Sequence, residues 1–412
     1  MTFLQLLPLL FILAGLILYT VLAGADLGTG LWQLTTRDHD LRSRVYESIG
    51  PVWEANHVWL IFVLTVLWTS YPGVFAAVCI TLVVPLFLAA IGLILRGTAY
   101  ALHGASNGPE DHREIDAVFG LSSVFTPFAL GAALGGIASG RVPPSGDGDQ
   151  WTSWLNPTSV LVGTLAVVLG AYLAAVQLAA DSVRVGDNGA AVAFRRRALT
   201  SGVVAGAVAV GGLVVVHADA PRLFDGLTSG AGLACAIVSV LLGLGALALV
   251  WWHRLEVARF AAAAAIATLV AGWALAQRPD VLPGLTVAEA AAPESTLIAV
   301  VVAVVAGGIV VFPALGLLFG LVLRGRLDRP RPAPDGGGRS ARPVRAGLLG
   351  RTALACFVAG AGLTLFGPGP ALLSVGIVLL FAAALLGFLA AVPRAGEPGA
   401  AEPGAAEPER TR

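Results

Sequence analysis

Four charged or titratable residues stand where an apolar chain would ordinarily carry none. Asp26 lies in GADLGTG, Gly24 to Gly30; Glu54 and His57 lie in IGPVWEANHVWL, Ile49 to Leu60; and Arg96 closes a third apolar run. Glu54 and His57 are three residues apart, so a helix puts them on one face, with Trp53 and Asn56 beside them. Ionisable groups at membrane depth are costly to bury and mark proton or ion pathways, and an imidazole titrates near neutral pH. The candidate chemistry is therefore proton transfer, with Glu54, Asp26 and His57 as its path.

Plainer roles exist for each residue. Pro51 suits the first turn of a helix, and Glu54 then complements the positive helix end. Asp26 equally suits a turn whose backbone donors it satisfies, and the glycines around it allow another helix or loop to pack over the carboxylate. Arg96 can pair with Asp26 or Glu54, or serve only as a charged anchor at the end of its span.

The histidines limit what else can happen here. Of His39, His57, His103, His112, His217 and His253, only His57 and His217 fall near membrane depth. The topology puts them at opposite faces, which rules out a bis-histidine haem clamp between them; a single-histidine haem site at His57 stays open without support, and the single Met1 offers no internal axial ligand. Cys79, Cys235 and Cys356 all sit in apolar runs without the spacing of a zinc site or a disulfide framework, so no metal site is expected. Phosphate loops, nucleophile triads and a soluble catalytic domain are all missing from the sequence.

The elements that must position these residues are membrane helices. The chain has 412 residues, 57% hydrophobic and 12% charged, with a mean hydropathy of +0.84. That composition belongs to the membrane class, and its net charge of zero suggests no nucleic-acid partner. Repeated apolar runs of about 20 residues predict an all-α, polytopic transmembrane bundle. Eleven spans are expected, near 3–23, 51–70, 74–95, 117–139, 158–180, 198–217, 230–252, 258–276, 296–323, 348–366 and 371–393. No positive residue precedes the first run, which is also too long for a signal peptide, so it reads as a retained helix.

All 25 basic residues are arginine. With the N-terminus outside, 22 of them fall on the cytoplasmic side and only Arg141, Arg222 and Arg278 outside. Basicity alternates loop by loop, which predicts an N-out, C-in orientation under the positive-inside rule. The segment RPRPAPDGGGRSARPVR, Arg329 to Arg345, breaks the helical pattern and reads as a cytoplasmic linker. The tail after Pro393, with its repeated GAAEP, cannot bury a core. This predicts a membrane domain over 1–326, a linker over 327–347, two additional helices over 348–393 and a disordered tail over 394–412.

GADLGTG, IGPVWEANHVWL, LILRGTAY, SSVFTPF and WLNPTSVLVG, in that order and spacing, resemble subunit II of cytochrome bd-type quinol oxidases over residues 1–326. The resemblance implies a haem-free subunit with no catalytic residue of its own. Its partner, subunit I, would carry haems b and d, oxidise quinol and reduce oxygen to water. The family's acidic residue after the tryptophan falls on Glu54, its glycine-loop aspartate on Asp26 and its arginine on Arg96. Subunit II would stabilise the haem subunit in the cell membrane and help convey protons from the cytoplasm. There is room in the picture for a structural quinone and a small accessory subunit.

This chain departs from the pattern by carrying Glu54-Ala55-Asn56-His57 where the family usually has Asp-Gly-Asn followed by Gln or Glu. Glutamate keeps the acid, and His57 adds a second titratable group. Two other readings stay open: a stand-alone transporter or channel built on Asp26, Glu54 and Arg96, and a membrane anchor for another oxidoreductase.

Overall fold

The computed structural model describes residues 2–38, 41, 42, 45, 53–103, 109–323, 348–366 and 370–391. The expected linker over 327–347 and tail over 394–412 lie outside the described residues. The chain divides into two compact units, Met1–Leu323 and Arg324–Arg412.

The first unit is built on α1 (Phe3–Thr35), which packs against the next helices in the chain and against later ones. After it come α2 (Trp53–Ser70), α3 (Pro72–Thr81), α4 (Val83–His103), α5 (Pro109–Ala138), α6 (Pro157–Arg184) and α7 (Asn188–Asp219). Short α8 (Pro221–Leu227) leads to the hairpin α9 (Gly230–Trp251) and α10 (Leu255–Ala276). Strands β1 (Asp280–Leu282) and β2 (Leu285–Thr286) pair antiparallel and run into the single turn α11 (Val287–Ala290) and then α12 (Glu294–Leu323). In the second unit, α13 (Leu348–Phe366) and α14 (Pro370–Ala391) pack against each other.

The fold is an all-α, multi-span bundle. Among the described residues, eight helices are long and apolar enough to cross a membrane, and four shorter apolar helices accompany them: Asn56–Ser70, Pro72–Thr81, Arg351–Gly360 and Ser374–Ala383. Large apolar side chains such as Ile61, Phe87, Val214, Leu241 and Ile309 face outward, as helices surrounded by hydrocarbon require.

Local chemistry accounts for several boundaries. The third apolar run breaks at Leu82 between α3 and α4. Pro85 has no N–H for the carbonyl of Thr81, and its ring crowds that carbonyl. Asn156 caps α6, its side chain accepting from the Ser159 N–H at 2.9 Å, with Pro157 in the first turn.

The largest difference from the hydropathy reading concerns α1, which runs to Thr35 instead of stopping near Ala23. Glycines in GADLGTG do not end the helix; they let neighbours in. A β-carbon on Gly28 would lie 2.0 Å from the carbonyl oxygen of Gly170 in α6, and one on Gly30 would lie 2.1 Å from the Ser123 β-carbon in α5. Close packing on both sides offsets the helix cost of glycine, about 1 kcal/mol per residue.

The bundle end that holds the start of α1 is tied by polar contacts and a small β element. Tyr71 donates to the Gln5 carbonyl at 2.7 Å. Arg141 grips Asp219 through both guanidinium nitrogens, and Thr158 donates to the same carboxylate through its N–H and hydroxyl. Leu282 and Val287, from β1 and α11, are buried against Tyr71 and Trp154. Hydropathy alone gives no sign of this hairpin.

Candidate functional site

The glycines that admit α5 and α6 also decide what Asp26 faces. Asp26 is in the body of α1, nine residues before its end, and a turn is not its setting. Arg96 lies within α4, seven residues before its end, and is 1% exposed, so it is no terminal anchor. The two form an ion pair, Arg96 Nη2 to Asp26 Oδ1 at 3.2 Å, and the same nitrogen donates to the Asp26 carbonyl at 3.0 Å. Arg96 Nη1 donates to the Ser123 hydroxyl, and the guanidinium carbon lies 4.5 Å from the centroid of the Phe119 ring. Side-chain exposure is 1% for the arginine and 10% for the aspartate. A buried charge of either sign is tolerable only with such a partner and with its remaining hydrogen-bonding groups engaged.

Helix α2 brings the other candidates to the same place. Phe62 and Val63 pack at Gly15 of α1, and His57 lies against Tyr19 with ring centroids 5.9 Å apart. Asn56 stands beside the Asp26 carboxylate. This register brings the first turn of α2, which contains Trp53 and Glu54, to the level of the Asp26–Arg96 pair. The side chains of Trp53 and Glu54 lie outside the described residues.

Asp26, Asn56, His57 and Arg96 thus converge from three helices. Three further residues belong to the cluster: Tyr19, Phe119 and Ser123. Ser123 falls within SSVFTPF, so its neighbourhood is visible in the sequence, but nothing in its spacing points to Arg96. Tyr19 is seven residues before Asp26 and shares its helical face, a signal that helix periodicity carries once α1 is known to be continuous. His217 is remote in sequence from this group and packs on Phe224, with ring centroids 4.6 Å apart. Among the described residues, no three His, Cys, Asp or Glu side chains are grouped as a metal site.

The sequence profile of cytochrome bd terminal oxidase subunit II matches residues 4–322. The chain belongs to that family. It is similar to a cytochrome bd ubiquinol oxidase subunit 2 of Bacillus subtilis (strain 168), 26% identical over 152 residues, which is 36% of this chain and 45% of the relative. A cytochrome bd-I ubiquinol oxidase subunit 2 of Escherichia coli (strain K12) is 26% identical over 166 residues, 38% of this chain and 44% of the relative. These matches span less than half the length of each curated relative. The solved bd oxidase from Geobacillus thermodenitrificans shares the fold, with a TM-score of 0.66 at 23% identity, over 78% of this chain and 99% of that one. The subunit II chain described here is accordingly a multi-pass protein of the cytoplasmic membrane.

Proposed function

We propose that this chain is the haem-free subunit II of a bd-type terminal oxidase, and that it carries a cytoplasmic proton-uptake path for the partner that reduces oxygen. The observation that carries the reading is the buried Asp26–Arg96 pair at the level of the first turn of α2. Nothing in simple packing requires two opposite charges in an apolar bundle, and exchanging such pairs for apolar residues is often neutral or stabilising. Their presence fits a path that needs polar groups in the bundle.

In this reading, Glu54 receives protons near the cytoplasmic end of α2, and Asp26, held by Arg96, provides the next carboxylate. His57 is a second relay group, while Trp53 and Asn56 shape the mouth. Haems b and d, quinol oxidation and oxygen reduction belong to subunit I. A structural quinone or small accessory subunit would join the same assembly. Orientation is N-out and C-in, supported by the arginine distribution, and residues 327–347 link the membrane domain to two additional helices.

Purification of the tagged chain from its native membranes tests the assignment. A stoichiometric haem-bearing partner is expected, with an optical spectrum of high-spin haem that binds carbon monoxide. A chain that purifies alone and moves a solute in liposomes would instead be a transporter.

A further inference from the structure

Helices α7 and α9 touch near one membrane face and part toward the other. A β-carbon on Gly202 of α7 would lie 2.5 Å from the Leu247 side chain of α9. Two turns nearer that face, Arg195 of α7 reaches the last carbonyls of α9: its Nε donates to Val250 at 2.8 Å and its Nη2 to Trp251 at 2.6 Å. In the other direction the cleft opens. β-carbons on Gly206, one turn after Gly202, and on Gly243, one turn before Leu247, would meet nothing within 4 Å. Ala236 and Val240 share the helical face of Gly243 and Leu247, and with Ile237 and Leu241 they line an open hollow of about 230 Å³ that continues the cleft. From Trp251 back to Leu241 is about 15 Å along the helix, half of a ~30 Å hydrocarbon core, so the cleft is one leaflet deep.

Its mouth is positive and aromatic. Trp251 and Trp252 are 64% and 67% exposed, as tryptophans at a membrane surface are, and the Arg195 guanidinium carbon lies 5.9 Å from the centroid of the Trp251 ring. Arg196 follows in α7 and Arg254 in the α9–α10 turn, both exposed. Among the described residues, the nearby carboxylates are engaged elsewhere: Glu256 pairs with Arg184 and Arg259, and Asp187 caps α7 by accepting from the Ala190 N–H. The carbonyl end of a helix repels anions. Here Arg195 takes two of those carbonyls, and the N–H groups of Trp252, His253 and Arg254 bind the carbonyls of Ala248, Val250 and Leu249. We propose that the cleft binds one anionic phospholipid. Its phosphate meets Arg196, Arg254 and the remaining N–H groups of Arg195, and an acyl chain runs past Gly243 to the hollow at Val240. Three arginines favour a headgroup of net negative charge, whereas a zwitterionic lipid brings an ammonium to the same place. Naming that leaflet cytoplasmic rests on the proposed orientation; the site itself does not.

Photo-crosslinking of the intact complex in phosphatidylcholine vesicles tests the site. The vesicles carry a small, equal fraction of either phosphatidylglycerol or phosphatidylcholine with a diazirine in its acyl chain, and mass spectrometry locates the adducts. Residues 236–243 should be labelled at least about fivefold more by the phosphatidylglycerol probe. Arg196→Gln combined with Arg254→Gln should bring that labelling down to the phosphatidylcholine level, while Arg222→Gln, beyond the other end of α7, should leave it unchanged. Gly243→Leu, which fills the cleft from an open position, should abolish it. Equal labelling by the two probes overturns the inference, and so does the absence of labelling, as when the partner subunit covers the cleft. Labelling that survives the double variant or Gly243→Leu, or that falls equally in Arg222→Gln, overturns it too. If a variant does not assemble, the comparison of the two probes in the unaltered complex decides. None of these readouts depends on the proton path.

Discussion

Arg96 gathers its neighbours by charge and shape together. A planar guanidinium can donate to a carboxylate and a hydroxyl while it lies over an aromatic ring, and Asp26, Ser123 and Phe119 take those three roles. Lysine would keep the charge and lose the rest. Removing only one member of the pair strands the other, at a cost of about 3–5 kcal/mol, whereas replacing both with apolar residues of similar volume is close to neutral. Asp26→Ala should therefore lower the thermal midpoint of the purified complex sharply. Asp26→Leu combined with Arg96→Met should restore most of that midpoint and leave oxygen consumption low. A double variant as unstable as the single one would mean that the pair is not the unit that matters. The sequence shows that Asp26, Glu54 and Arg96 are out of place in apolar runs, but which carboxylate faces the arginine depends on how α1, α4 and α5 pack. Sequence spacing carries no information about that.

Hydropathy locates the helices well because lipid imposes one rule on every span. It fails at α1 for a physical reason. Glycine and aspartate reduce local hydropathy and resemble a helix stop, while the helix is sustained by what packs on it. The closest approach is at Gly28, where a β-carbon would meet the Gly170 carbonyl oxygen at 2.0 Å. Backbone must move to accept it, and overpacking of this kind costs about 1–3 kcal/mol. Gly28→Ala should lower the yield and melting point of the complex, whereas the same change at Gly206, whose β-carbon position is open, should not; equal effects would show that the α1–α6 approach is not limiting.

A second element-scale expectation concerns the cap on α11, which hydropathy misses because four residues carry too little periodicity. The Thr286 N–H and hydroxyl donate to the Glu289 carboxylate, in that order of importance, and hold its pKa below the ordinary 4.5. A carboxyl whose folded pKa is depressed stabilises the fold above its unfolded pKa and loses that contribution as pH falls through the folded value. Hydrogen exchange over residues 280–290 should therefore accelerate, after correction for the intrinsic rate, once the pH falls below 4.5. Glu289→Gln should remove most of that pH dependence. An unchanged profile in this variant would assign it to another group.

At the scale of the whole molecule, a charge asymmetry and a polar cluster come together. In the proposed N-out orientation, the arginine distribution puts the Thr35 end of α1 and the start of α2 on the cytoplasmic side, the side from which the proposed path would draw its protons. The polar cluster of Asp26, Asn56, His57 and Arg96 lies toward that same end of α1. The second unit, α13 packed on α14, lies beyond the stretch matched by the family profile, residues 4–322. Its helices carry shorter apolar stretches, Arg351–Gly360 and Ser374–Ala383, and nothing in their composition points to a task. The central claim is that Glu54 and Asp26 supply protons to a haem-bearing partner, and steady-state oxygen consumption per haem in the purified complex tests it most directly. In Glu54→Gln, with haem content and spectrum normal, and in Asp26→Asn, measured per haem retained after loss of the partner of Arg96, turnover should fall at least about tenfold, equivalent to roughly 1.4 kcal/mol of added barrier. Full turnover per haem in both variants would contradict it.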